Sequence, residues 1–123
     1  MYMIYGIPNC DTVKKVFTWF KENKIPYEFH DYKKTGISPA KLKAWSGQVG
    51  WEVLLNKRGT TWKELDAKTQ ASITNEKAAI KLMAENTSSI KRPVIEKGDK
   101  VMIVGYDVTA YENLFKNKSA ILI

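Results

Sequence analysis

The chain reads as an α/β protein: one four-stranded mixed sheet, opened by a β-α-β unit, closed by a β-β-α unit, with helices inserted between. Three observations lead there. The apolar run at residues 2–5 enters a Gly6-Ile7-Pro8 turn, and Val13, Val16, Phe17 and Phe20 then fall on one helical face. Tyr27-Glu28-Phe29-His30-Asp31-Tyr32 alternates as a half-buried strand does. Val94-Ile95-Glu96 and the apolar run at 101–104 flank Lys97-Gly98-Asp99-Lys100, the pattern of a hairpin with a Gly-Asp turn.

Taken in order, the first strand feeds a helix for which Asn9 or Asp11 can serve as N-cap. That helix ends near Asn23-Lys24, because Ile25-Pro26 is an extended pair. The second strand then lies parallel to the first through a right-handed crossover. Ser38-Pro39 opens the next helix, with Leu42 and Trp45 inward and Gly47 as its stop. A short segment at 51–55 leads to the polar loop at 56–60, and Thr61-Trp62-Lys63-Glu64 is a capping box. A longer helix runs from Thr74 or Asn75 to about Asn86 on the face of Ala78, Ala79, Leu82 and Met83. After the hairpin, Thr109 caps a final helix carrying Tyr111, Leu114 and Phe115, and an apolar tail follows at 119–123. The expected strand order is second, first, third, fourth, with the hairpin antiparallel to the first pair. All of 1–123 forms one domain, with the sheet core at about 1–33 and 90–118 and the insertion at about 34–89.

Composition narrows the function classes. With 123 residues, 44% apolar and 11% aromatic, the chain suits one core. One cysteine excludes an internal disulfide. No signal-like segment or membrane-length apolar run is present, which points to a cytoplasmic protein with no membrane partner. The net charge of +7 comes from eighteen lysines and two arginines against thirteen acids. The lysines are scattered, and base reading relies on Arg, so a nucleic-acid partner is not expected.

The reactive candidate is Cys10, delivered by the Gly/Pro turn to the start of a helix. A lone cysteine is most often a small buried hydrophobe. Here it stands between Asn9 and Asp11 with no apolar neighbour on its C-terminal side until Val13, which favours an exposed thiol. Unpaired N–H groups and the helix dipole favour a thiolate there, and Lys14 adds a charge one turn on. The single histidine, His30, has no partners for a metal site, and none is expected. Both arginines, Arg58 and Arg92, fall in loops of a lysine-dominated chain. Guanidinium is the preferred partner of oxyanions and carboxylates, so both are candidates to hold an anionic group.

The order β-α-β, helical insertion, β-β-α is the thioredoxin-like arrangement with an added helical subdomain. Four blocks sit in that order: residues 6–15, Phe29-His30-Asp31-Tyr32, residues 54–62, and Ile90-Lys91-Arg92-Pro93-Val94-Ile95. Through them the chain resembles the arsenate reductase (ArsC) family, in its branch of small reductase-like proteins related to the Spx-type regulators. The resemblance implies that Cys10 is the nucleophile and that Lys14 is a basic catalytic position. It implies that Arg58 and Arg92 hold the oxyanion, and that Asn9, Arg58, Arg92 and Pro93 contact substrate or thiol. It further implies a cis bond before Pro93. The expected activity is a thiol-dependent oxidoreductase with no bound cofactor. Glutathione or another low-molecular-weight thiol would be co-substrate, an anionic or disulfide compound the substrate, and glutaredoxin a partner. The alternative is an Spx-like adaptor that binds RNA polymerase without turnover.

The chain departs from the family pattern in three places. Gly105-Tyr106-Asp107 stands where arsenate reductases carry a third arginine, with Asp107 expected to repel an anion, and Gly6 replaces an upstream histidine. A physiological substrate other than arsenate is therefore expected. Val13 replaces the second cysteine of the Spx-type switch, which leaves no intramolecular disulfide.

Overall fold

The computed structural model describes residues 1–116, so the expected docking or pairing of the apolar tail lies outside the described residues. Strand β1 (Tyr2–Gly6) leads through the turn into helix α1 (Asp11–Glu22), and β2 (Tyr27–Asp31) returns beside it. The insertion holds α2 (Tyr32–Thr35), α3 (Pro39–Val49), α4 (Trp51–Leu54), α5 (Thr60–Lys63), α6 (Ala67–Ser72) and α7 (Glu76–Glu85). A 3-10 turn (Thr87–Ser89) precedes β3 (Val94–Lys97) and β4 (Lys100–Val104). Helix α8 (Val108–Tyr111) runs on into a π turn (Glu112–Lys116).

The sheet order is β2-β1-β3-β4, with β1 and β2 parallel and β3 antiparallel to both β1 and β4, as the connectivity requires. Gly98, at φ +62°, takes the first loop position of the hairpin, where a Gly-first two-residue turn needs a left-handed residue.

Strand alternation splits the core into two layers. Ile4 and Ile95 face α1 and the C-terminal helix, packing with Val16, Trp19, Phe20, Tyr111 and Phe115. Tyr5 and Val94 face the insertion, packing with Leu42, Trp45, Leu54 and Met83. The insertion therefore supplies the second covering layer of the sheet. Helix α3 also grips the hairpin: Gln48 Nε2 donates to the Asp99 carbonyl at 2.8 Å, and Val101 N donates to Gln48 Oε1 at 2.7 Å.

Several local expectations are corrected. The residue at the N-cap of α1 is Cys10 itself, in place of Asn9 or Asp11, and no side chain caps that end. Trp19 joins Val13, Val16 and Phe20 in the buried face, while Phe17 lies half-buried, stacked on Tyr27 at 5.3 Å. Helix α3 passes through Gly47 and stops at Gly50, whose φ of +90° suits glycine alone. The Thr61 capping box does not form: α5 starts at Thr60 after Gly59, without a side-chain cap. Asp107 caps α8 in place of Thr109, its carboxylate accepting Ala110 N at 3.0 Å. Helices α2 and α6 are too short to leave a periodic signal. The insertion opens directly at Tyr32, two residues before the expected boundary.

Candidate active site

The site forms at one end of the sheet's strands. Parallel β1 and β2 end there together, with Gly6 opposite Asp31, and antiparallel β3 begins there, with Val94 opposite Tyr5. The Cys10 turn after β1 and the Arg92-Pro93 pair before β3 are thereby brought side by side.

Gly6 sets how closely the turn can approach. A Cβ on this residue would lie 2.9 Å from Val13 Cγ2, so only glycine lets the first turn of α1 settle against the strand. Cys10 N then donates to the Ile7 carbonyl at 3.3 Å, and the Cys10 carbonyl accepts the first helical bond from Lys14 N at 3.0 Å. This leaves the thiol half-buried at the helix N-terminus.

Partial burial pushes the Cys10 thiol up, but the opposing influences win and its pKa is lowered. The Val13 N–H favours the thiolate most, followed by the Arg92 side chain, through hydrogen bonding and charge, and by the Thr12 N–H. These are the helix-terminus donors and the cation that a reactive thiol needs.

Arg92 is half-buried, and its Nη1 donates to the Ser88 carbonyl at 3.0 Å. Its bond to Pro93 is cis, and Pro93 is buried. Asn9 is exposed at the tip of the turn. Beside Pro8 a recess of ≈ 520 Å³ runs along Phe29, His30, Lys34 and Thr35.

Two expected members stand apart. Lys14 is exposed and lines a different groove, with Lys15, Thr18, Trp19, Glu22 and Tyr106. Its Cα is on the first turn of α1, and its side chain reaches the solvent in that groove. Arg58 is exposed in a recess with Glu52, Asn56, Lys57 and Lys91, brought near Lys91 by the Leu55–Ile90 bridge. Asp107 faces its own helix as a cap.

Sequence reasoning missed a buried polar cluster behind the site. Glu96 is 3% exposed, yet it is a carboxylate. Tyr5 Oη donates to its Oε1 at 2.8 Å, Trp45 Nε1 donates to Oε2 at 3.0 Å, and Lys41 Nζ stands 2.8 Å from Oε2. Burial pushes the Glu96 carboxyl up, but the hydrogen bonds from Lys41, Trp45 and Tyr5 and the Lys41 charge bring it below the ordinary value. His30 packs on Tyr5 at 4.8 Å and donates from Nε2 to the Gly36 carbonyl at 2.7 Å, a structural role. Among the described residues, no group of three or more His, Cys, Asp or Glu side chains could hold a metal ion.

A thioredoxin-like sheet with one thiolate-favouring cysteine beside a cis-proline loop defines a thiol-based, reductase-like protein. The chain belongs to the ArsC family, whose model matches residues 5–114. The solved YFFB protein is 44% identical over 93% of this chain and 98% of its own, with a TM-score of 0.86. An arsenate reductase (ArsC) related protein from Brucella melitensis is 41% identical over 94% of both chains, with a TM-score of 0.76. The global transcriptional regulator Spx 2 of Lactococcus lactis is 28% identical over 87% of this chain and 80% of its own. No described helix is long and apolar enough to cross a membrane.

Proposed function

We propose that this ArsC-family protein is a thiol-dependent oxidoreductase that works through Cys10 alone. The observation that carries the reading is the thiol at the α1 N-terminus, with the Val13 and Thr12 N–H groups and Arg92 favouring its thiolate. The Cys10 thiolate attacks one sulfur of a disulfide such as oxidised glutathione. A new S–S bond forms, the old one breaks, and the other half leaves as a thiolate. Cys10 is oxidised and the departing half is reduced. With one cysteine in the chain, no internal thiol can displace the adduct. A second glutathione or a glutaredoxin dithiol must attack it, releasing Cys10. Arg92 holds the anionic group of the incoming thiol or substrate, and the recess beside Pro8 gives its tail room. Arg58 can join only by reaching over from its own recess. Arsenate is not the substrate in this reading.

The test is intact mass after exposure to oxidised glutathione. The expected product carries one glutathione on Cys10, persists without added thiol, and is cleared by glutathione with glutaredoxin. Absence of an adduct, or the same adduct yield with Cys10→Ser, overturns the reading. The likeness to Spx 2 supports a second reading, an adaptor that binds RNA polymerase without turnover. Binding that survives Cys10→Ser, in a protein that forms no adduct, would select it.

A further inference from the structure

Two recesses flank the turn that carries Cys10, and the proposed function uses one of them. The recess beside Pro8 is walled by Phe29, His30 and Lys34, on the β2 side of the sheet. The groove that holds Lys14, ≈ 320 Å³, is walled by α1 and by Tyr106, which follows β4. Their linings share no residue. Strands β2 and β4 are the outer strands of the sheet, and β1, which delivers Cys10, lies inside. The two recesses therefore lie on opposite flanks of the thiol-bearing turn.

Helix geometry lines the groove up with that turn. Residues four apart share a face of a helix. Cys10, Lys14, Thr18 and Glu22 make such a row, headed by Cys10 at the N-cap and joined at its first step by Lys14 N on the Cys10 carbonyl at 3.0 Å. Lys15 and Trp19 form the row beside it, and Tyr106 supplies the other wall. Charge is graded along the groove. Two ammonium groups stand at the Cys10 end, and the Glu22 carboxylate stands eight residues on from Lys14, about 12 Å along the axis. Among the described residues, none of these three charges is in an ion pair. Thr18 is already engaged, its Oγ1 donating to the Lys14 carbonyl at 3.1 Å.

We propose that this groove seats the second thiol of the exchange. It selects a low-molecular-weight thiol with a carboxylate close to its sulfur and an ammonium at its far end, the class to which glutathione belongs. The inference rests on the disulfide-exchange reading of Cys10. In that exchange a thiolate attacks a disulfide sulfur with the three sulfurs nearly in line, so two thiol tails are present at once and each needs its own place. One tail occupies the Pro8 recess while its sulfur is bonded to Cys10. The thiolate of the second, lying along α1, bonds to that sulfur, the bond to Cys10 breaks, and Cys10 leaves as a thiolate. The incoming thiol is oxidised and Cys10 is reduced. In the opposite direction, the same groove receives the half that departs when Cys10 first attacks the disulfide. Lys14 and Lys15 hold the carboxylate, Glu22 holds the ammonium, and Trp19 and Tyr106 support the stem between.

The test starts from protein carrying one glutathione on Cys10. Clearing is followed by intact mass at increasing glutathione, and separately at increasing 2-mercaptoethanol, which is neutral and too short to span the groove. The variants are Lys15→Gln and Glu22→Lys, with Lys21→Gln as a control that removes an α1 charge outside the groove. All three residues are exposed, so unchanged thermal midpoints are expected. Both groove variants should raise the half-saturating glutathione concentration several-fold and leave clearing by 2-mercaptoethanol as it is in the wild type. Lys21→Gln should change neither. Clearing by glutathione that neither groove variant slows overturns this inference and leaves the proposed function standing. So does an equal loss with both thiols, an effect of Lys21→Gln matching that of Lys15→Gln, or clearing by a glutaredoxin dithiol but not by glutathione. Failure of the wild type to form the adduct overturns both readings.

Discussion

Cys10 shows how little of a thiol's reactivity belongs to the residue itself. Burial alone would make it inert, and the balance tips because the Val13 and Thr12 N–H groups and Arg92 oppose the desolvation. Sequence proximity is a poor guide here: Lys14 is four residues away and lines a different groove, whereas Arg92, at the far end of the chain, acts on the thiol through hydrogen bonding and charge. Arg92→Gln should therefore raise the Cys10 pKa and slow alkylation at neutral pH several-fold, and Lys14→Gln should shift the profile less. Alkylation rate against pH measures both, and equal shifts would restore Lys14 to the site. The sign follows from the lowered pKa: thiolate is present above the folded value and is lost as pH falls through it.

At the scale of the element, α1 is placed by a missing side chain. Gly6→Ala would push a methyl to 2.9 Å from Val13 Cγ2, and Val13 is fully buried with nowhere to retreat. Overpacking of this kind costs about 1–3 kcal/mol. The helix start can relieve it only by lifting from the strand, which carries Cys10 away from Arg92. Gly6→Ala should thus lower the thermal midpoint and also move the alkylation profile to higher pH. A stability loss with an unmoved profile would show that the helix start is not what holds the thiol in place. Helix ends were the least legible part of the sequence, for a related reason. Asn9, Asp11, Asp107 and Thr109 all have capping chemistry, and only backbone geometry decides that Asp107 caps while Asn9 does not.

On the scale of the whole molecule, Glu96 ties the sheet to the insertion. It lies in β3 and receives Tyr5 from β1 and both Trp45 and Lys41 from α3. Glu96→Gln removes the charge and leaves at least one buried donor poorly matched, at a cost of about 1–3 kcal/mol. Because the folded carboxyl is held below its ordinary value, its contribution is complete above the unfolded value and is lost as pH falls through the folded one. Urea midpoints should differ most near neutral pH and converge in acid. A gap between wild type and variant that stays constant into acid would show that the carboxylate charge is not what stabilises. The inventory of cations bears on substrate at the same scale. The chain has two arginines; Arg92 acts on Cys10, and Arg58 lies exposed in a recess of its own. One absent charged hydrogen bond is worth roughly 1.5–3 kcal/mol, so arsenate turnover with glutathione and glutaredoxin should stay near background. Turnover at rates typical of arsenate reductases would contradict this.

The sequence alone determined the four strands, the longer helices and their order. Alternation, helical periodicity and the Gly-Asp turn are set over a few residues, and a β-α-β unit with a terminal hairpin leaves little freedom in β2-β1-β3-β4. It also placed Cys10 at a helix start, and the family resemblance implied the cis bond between Arg92 and Pro93. Tertiary structure alone decided which charges meet. Nothing in Val94-Ile95-Glu96 announces a buried carboxylate; it becomes one because the insertion covers the face that β3 turns toward it. Tyr5 reaches Glu96 across 91 positions and Trp45 across 51, while Lys14 and Arg58, both carried by motif blocks, line recesses of their own. The physical reason is range: backbone preference acts between neighbours in the chain, whereas hydrogen bonds and charge act between neighbours in space.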